Sequence, residues 1–232
     1  MDHKPQNTTP SCIGIIMDGN RRFAKERGLP AMEGHRRGYA KAKEAASWCR
    51  DAGIKYLVLY AFSTENWSRS KEEISYLTGI FRKLLWSETN ELRKENGAVR
   101  FLGDIGSFGA DFERQARLLE ESNPKKPGLT VALALSYGGR PEIIRAANNL
   151  LAKKAGGAVT EKEFSAELWT AGIPDPELVI RTGGEKRLSN FLTWQSVYSE
   201  LFFTDTYWPE FTEEEFLGIL KKYGMRERRM GK

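Results

Sequence analysis

Cysteine and histidine are scarce: the 232 residues hold two of each, Cys12 and Cys49, His3 and His35. So few cysteines exclude a disulfide scaffold and a cysteine-rich zinc site, and two histidines make a poor zinc centre. No apolar run reaches the roughly 18–20 residues that span a bilayer. The opening MDHKPQNTTPSC lacks the apolar core of a secretory signal. The chain reads as reduced and cytoplasmic. Common phosphate-binding signatures are missing too, with no GxxxxGK[ST] and no GxGxxG after the first strand, and no GxSxG elbow offers a hydrolase nucleophile. The excess of basic charge is small, 36 Lys+Arg against 31 Asp+Glu. It suits an anionic small substrate and falls short of a nucleic-acid footprint.

What is present is a globular composition, 40% hydrophobic and 29% charged. The length suits one large α/β domain. Residues 1–11 read as a loose polar tail and 12–232 as the domain. Short apolar runs predict strands at Cys12–Met17, Tyr56–Phe62, Val99–Leu102, Leu129–Leu135, Leu178–Ile180 and Glu200–Phe203. Ile74, Leu77, Ile80, Phe81, Leu84 and Leu85 recur at helical spacing and predict one long helix from Lys71 to Asn96. Other helices are expected over His35–Arg50, Asp111–Ser122, Pro141–Ala155, Thr160–Thr170 and Thr212–Tyr223. Thr160 with Glu163, and Thr212 with Glu215, have capping-box spacing. Strands that alternate with helices and are apolar throughout predict a mostly parallel six-stranded sheet flanked by helices.

In such sheets ligands sit beyond the carboxyl ends of the strands. Four polar clusters follow strands: Asp18 to Arg22, Ser63 to Arg69, Tyr137 to Arg140, and Arg181 to Ser189. Three place arginine beside glycine or a small polar residue. Arginine offers planar paired donors to phosphate, and glycine lets backbone N–H groups approach it. A phosphate-holding site follows. Asp18 and Glu200, at strand ends, offer oxygen ligands to a hard divalent cation.

The strings Met17-Asp-Gly-Asn-Arg-Arg-Phe-Ala24, Gly34-His35, Tyr60-Ala-Phe-Ser-Thr-Glu-Asn-Trp67 with Arg69, Tyr137-Gly-Gly-Arg140, Ile180-Arg-Thr-Gly-Gly-Glu-Lys-Arg-Leu-Ser-Asn-Phe191, Ser199-Glu-Leu-Phe-Phe-Thr-Asp205, Trp208-Pro209 and the ending Arg226 to Gly231 occur in one order along the chain. Together they resemble the cis-prenyltransferases, the undecaprenyl diphosphate synthase family. The aspartate-pair motif of the all-helical prenyl transferases is absent. The resemblance implies an enzyme that condenses isopentenyl diphosphate with an allylic diphosphate, usually farnesyl diphosphate, forming a cis double bond. It also implies magnesium, a homodimer, and transient membrane contact for product release without an anchor. No nucleic-acid partner is expected.

The resemblance assigns roles residue by residue. Asp18 and Glu200 are expected to hold the metal, Glu200 from across the dimer. Gly19, Asn20, Arg21, Arg22 and His35 match the allylic diphosphate cradle. Arg181, Arg187 and Ser189 match the clamp on isopentenyl diphosphate. Asp18, Asn20, Ser63 and Asn66 are the expected catalytic set. Phe62, Ser63, Glu65, Trp67, Arg69 and Glu73 match a lid that positions substrates. Ala61, Leu133 and Leu135 are expected to line a hydrocarbon tunnel. Arg229 and Gly231 resemble a tail that reaches the partner's site.

Two positions depart from the family pattern: Ala31, where many relatives carry an arginine, and Ser136, where asparagine is usual. Small Ala61 favours elongation past the farnesyl length, toward the undecaprenyl class. Ala31 keeps open a short-chain or irregular synthase. A non-catalytic partner subunit would have lost the Asp-Gly-Asn signature and the arginine clamp, and this chain retains both.

Overall fold

The computed structural model describes residues 9–88, 94–153 and 156–226. Strands β1 (Cys12–Ile16), β2 (Tyr56–Ser63), β3 (Gly97–Leu102), β4 (Leu129–Tyr137), β5 (Leu178–Arg181) and β6 (Glu200–Phe203) form one sheet ordered β3-β4-β2-β1-β5-β6. Every pairing is parallel. The helices are α1 (Asn20–Glu26), α2 (Ala31–Asp51), α3 (Lys71–Lys83), α4 (Ala110–Glu121), α5 (Gly139–Lys153), α6 (Glu161–Ala166) and α7 (Glu213–Gly224).

The two-residue alternation of strand side chains divides the apolar residues between two faces. Ile13, Ile15, Leu57, Leu59 and Leu133 join the larger core, which includes residues of α2, α3, α4 and α7. Ile16, Val58, Ala132, Ala134 and Val179 pack on the other face against Phe191 and Leu192. Neighbours β2 and β5 flank β1 on opposite sides. The loops leaving the three strands therefore diverge and open a crevice at their carboxyl ends.

Several boundaries differ from the sequence expectations. Pro10 is buried, and the Ser11 carbonyl accepts from the N–H groups of Lys55 and Tyr56, so the packed chain begins before residue 12. The expected Lys71–Asn96 helix is α-helical to Lys83 and then widens into a π turn, Leu84–Glu88, while Asn96 has φ 54°. Apolar periodicity does not register a change of hydrogen-bonding pattern. The caps at Thr160 and Thr212 form as expected, each hydroxyl accepting the N–H three residues on. Arg229 and Gly231 lie outside the described residues.

Candidate active site

Asp18 leaves β1 through a turn whose tightness depends on Gly19. That residue has φ +107°, and a Cβ there would stand 2.7 Å from the Tyr207 ring. The turn aims the Asp18 carboxylate across the crevice. Its Oδ2 accepts from Arg181 Nη2 at 2.8 Å, and its Oδ1 meets Arg22 Nη2 at 3.0 Å and the Gly19 N–H at 2.6 Å. Burial raises the Asp18 pKa, but the Arg181 hydrogen bond and the Arg22 charge outweigh it and hold the carboxyl below its usual range.

Arg181 is 4% exposed. Its Nη1 donates to Ser189 Oγ at 2.7 Å and to the Arg187 carbonyl at 2.6 Å, and its Nε has no partner. Arg181 and Ser189 are thus brought together as expected. Arg187 enters this contact by its backbone only, because its exposed guanidinium pairs with Glu185.

A second cluster forms where α2 meets α3. Glu73 Oε1 accepts from His35 Nε2 at 2.9 Å and Arg69 Nη1 at 3.0 Å, and Arg21 Nε lies 3.9 Å away. Burial lowers the His35 pKa, with Arg69 and Arg21 adding to the effect against the pull of Glu73. Burial opposes ionisation of Glu73, yet His35 and the two arginines hold it below its usual range. The pair is therefore neutral imidazole with ionised carboxylate, and the Nε2–H tautomer donates.

The segment after β2 is a short 3-10 helix, Thr64–Ser68, closed by a reciprocal cap between Ser63 and Asn66. Its aromatic residues pack inward. Phe62 is fully buried, and the Trp67 ring lies 4.9 Å from it and 5.1 Å from Phe108. The Trp67 indole N–H donates to Ser136 Oγ at 2.9 Å, which gives the departure at Ser136 a use. Phe62 and Trp67 anchor the segment, while Ser63, Glu65, Asn66 and Arg69 face the cleft.

The polar cleft measures about 1000 Å³, and behind it lies an apolar cavity of about 290 Å³ between the sheet and helices α2 and α3. Met17, Asn20, His35, Ala61 and Leu77 line both. The strip of α2 facing the cavity carries Gly38, Ala42 and Ala46 where Leu would fill it. Ala61 and Leu133 line this cavity. Leu135 does not; it is 1% exposed and belongs to the core, beside Phe62 in the β2–β4 register. At the far end stand Arg50 and Glu95, which pair with each other.

Glu200 lies away from Asp18. It starts β6 opposite Leu178, at the amino end of the sheet, and pairs with Arg226. Within one chain the two expected metal ligands are not neighbours. Sequence reading also passed over Thr182, whose hydroxyl donates to the Asp18 carbonyl at 2.7 Å and accepts the Asp18 N–H at 3.0 Å. Trp208, part of the Trp208-Pro209 string in the resemblance, carries no assigned role there and is fully buried at the cavity wall. Thr182 follows the β5 strand end and could have been found there.

An arginine–aspartate cradle that opens into an apolar pocket has the chemistry to take an anionic head with a hydrocarbon tail. The family described as "Putative undecaprenyl diphosphate synthase" matches residues 16–231. An isoprenyl transferase of Rhizobium meliloti is 42% identical, the match covering 99% of this chain and 95% of that one. The ditrans,polycis-undecaprenyl-diphosphate synthase of Micrococcus luteus, described as farnesyl-diphosphate specific, is also 42% identical, over 96% and 91% of the two chains. The crystal structure of lavandulyl diphosphate synthase from Lavandula x intermedia with dimethylallyl diphosphate superposes with a TM-score of 0.92 at 33% identity, covering 98% and 100%. The chain belongs to the cis-prenyltransferase family. It is a prenyl-transferring enzyme, and the family's reaction is condensation of isopentenyl diphosphate with formation of a cis double bond.

Proposed function

We propose that the cleft holds the two diphosphates while the cavity behind it takes the hydrocarbon. The five residues shared by both walls support this most directly, since they would lie where the diphosphate head meets the chain. Arg21, Arg22 and His35 receive the allylic diphosphate, and Arg181, Ser189 and Arg187 the isopentenyl diphosphate. As the allylic C–O bond breaks, its electron pair leaves with the diphosphate, and the arginines stabilise the added charge. The isopentenyl double bond then attacks the allylic carbon, and the carbocation so formed loses a proton to the released diphosphate, beside Asn20, Ser63 and Asn66.

Family membership implies a divalent-metal-dependent mechanism. Among the described residues no three His, Cys, Asp or Glu side chains gather. Asp18 alone still fits magnesium, which is commonly held by one or two carboxylates plus substrate phosphates. Bound there, magnesium would neutralise charge on the leaving diphosphate. Glu200 would contribute only from a second copy. Val197 and Tyr198, 72% and 82% exposed beside the edge strand β6, support such a homodimer.

Short products are the better supported reading, ahead of the undecaprenyl class. The cavity wall from Leu129 to Leu133 measures about 13 Å at the usual strand rise. An undecaprenyl chain outreaches it and would have to pass Arg50 and Glu95. The backbone likeness to lavandulyl diphosphate synthase and the absence of an arginine at Ala31 point the same way. The Micrococcus luteus relative favours the longer product.

One assay decides. Purified protein receives labelled isopentenyl diphosphate with dimethylallyl, geranyl or farnesyl diphosphate, with and without magnesium. Magnesium-dependent short products are expected. A ladder reaching the undecaprenyl length would overturn the product reading, and no incorporation with any primer would overturn the catalytic one. Among the described residues no helix can cross a membrane. Flotation of product-loaded enzyme with liposomes tests the proposed transient membrane contact.

A further inference from the structure

Asn20 sits where cleft and cavity meet, yet hydrogen bonds hold its carboxamide poorly. Its Oδ1 is buried without a partner, and its Nδ2 reaches only the Met17 carbonyl, at 3.5 Å. Packing must therefore fix the orientation that polar contacts leave free. The packing surface is a notch on α2. A Cβ on Gly38 would lie 2.2 Å from Asn20 Oδ1 and 2.8 Å from its Cγ, so the amide lies directly against the Gly38 backbone. One turn earlier, a Cβ on Gly34 would lie 2.1 Å from the Asn20 carbonyl oxygen. Residues four apart share one helix face, so the two glycines form a single seat. They divide the work: Gly34 admits the backbone of Asn20, and Gly38 admits its side chain.

The seat is tied in place from both sides by one residue. The Trp208 indole N–H donates to the Gly38 carbonyl at 2.8 Å, and the Trp208 backbone N–H donates to the Asp18 carbonyl at 3.0 Å. Trp208 thus couples α2 to the turn that presents Asp18 and Asn20. Alanine is a better helix former than glycine, so helix formation gives no reason for glycine at position 38. Close approach does.

We propose that Gly38 is a positioning residue for Asn20, and that Trp208 is the tie that keeps this seat in register with Asp18. Neither needs to touch substrate. The inference rests on the placement of Asn20 at the reacting groups proposed above. A Cβ at position 38 rotates the short Asn20 side chain away, and misplacement of a reacting group by about 1 Å can cost roughly 100-fold in rate.

The test is a double-mutant cycle on the full-length enzyme, with kcat, both KM values and thermal unfolding measured for each variant. Gly38→Ala is expected to lower kcat by about 10- to 100-fold while KM stays within about threefold. Asn20→Ala should also lower kcat, and Gly38→Ala placed on that background should cost nothing further, because the clashing amide is gone. Trp208→Phe keeps an aromatic ring and loses the N–H. It should give a smaller kcat loss, again absent on the Asn20→Ala background, and it carries the test if Gly38→Ala does not fold. Losses that multiply on an impaired Asn20→Ala background would overturn the seat and leave the role of Asn20 standing. Full activity in Asn20→Ala would overturn that role itself. Wild-type kcat in Gly38→Ala would overturn the seat outright.

Discussion

Both ends of the apolar cavity carry charge, and they use it in opposite ways. At the carboxyl ends of the strands Asp18, Arg22 and Arg181 converge on one cleft, with Arg181 4% exposed and one of its nitrogens unpartnered. At the far end Arg50 divides its donors among Glu95, Asp51 and Ser47, at the surface. Charges that converge while partly desolvated can act on a third, anionic partner. Charges that pair off at the surface contribute solubility and a polar end to the pocket. The number of charged residues is no guide to function; their convergence and burial are.

The largest test of this contrast is removal of one charge from each end. Asp18→Ala or Arg181→Ala should reduce kcat by about 100- to 1000-fold, the scale for losing a preorganised charge-stabilising group. Arg50→Ala should leave turnover within about twofold. Steady-state incorporation of labelled isopentenyl diphosphate, with circular dichroism as a check on folding, reads both. Equal losses at the two ends would erase the distinction.

The same contrast explains what was legible in the sequence. Six strands, their parallel pairing and the Asp18–Arg22 and Arg181–Ser189 clusters follow from apolar runs and from polar residues at strand ends. The pairing of Asp18 with Arg181 joins chain segments far apart, and follows only once β1 and β5 are neighbours. Trp67 sits in a polar stretch, and sequence cannot show that it packs beside Phe108. The cavity itself is written in absences, the small residues Gly38, Ala42 and Ala46, which a search for apolar bulk passes over. Leu135 shows the converse error: a large apolar residue on the right strand that belongs to the core.

Filling the cavity should act on product and spare the cleft. Ala46→Leu places a branched chain in the space beside the strand wall, and overpacking costs about 1–3 kcal/mol where the site cannot yield. Product length should shift downward, with turnover of the shortest primer changed by less than about threefold, the ordinary scale of context effects. Chromatography of dephosphorylated products reads the result. An unchanged product spectrum would mean that hydrocarbon does not occupy this cavity.

A smaller effect separates the two ends by pH. Burial holds the His35 pKa below its usual 6.5. As pH falls through that value, the unfolded chain binds a proton that the folded chain refuses, so stability declines toward acid. Glu73 and Asp18, held below their usual carboxylate values, add a further loss once pH falls through their folded pKa values. Urea unfolding at stepped pH should therefore show falling midpoints below about pH 6.5. The groups facing His35 are Glu73, Arg69 and Arg21. His35→Gln keeps a donor to Glu73 and should flatten the first part of the decline, whereas Arg50→Ala should leave the slope intact. A wild-type profile flat to pH 5 would contradict the neutral imidazole.

The smallest expected effect is in the stability of Arg50→Ala. The Arg50 side chain is 33% exposed and that of Glu95 55%, and pairs so exposed contribute about 0–1 kcal/mol, less as salt rises. Chemical unfolding should therefore change by under about 1 kcal/mol, and still less in high salt. That weakness has a consequence for product length. If the product grows into this cavity as proposed, its tip would meet the Arg50 guanidinium, and growth would stop where moving that group costs more than the next addition gains. Without Arg50 the guanidinium that closes this end is lost at almost no cost in stability, and the product distribution should move upward by one or more isoprene units while the rate of the first condensation holds. If the distribution stays in place, the pair lies beside the path of the chain and the end of the cavity is set by the apolar wall alone.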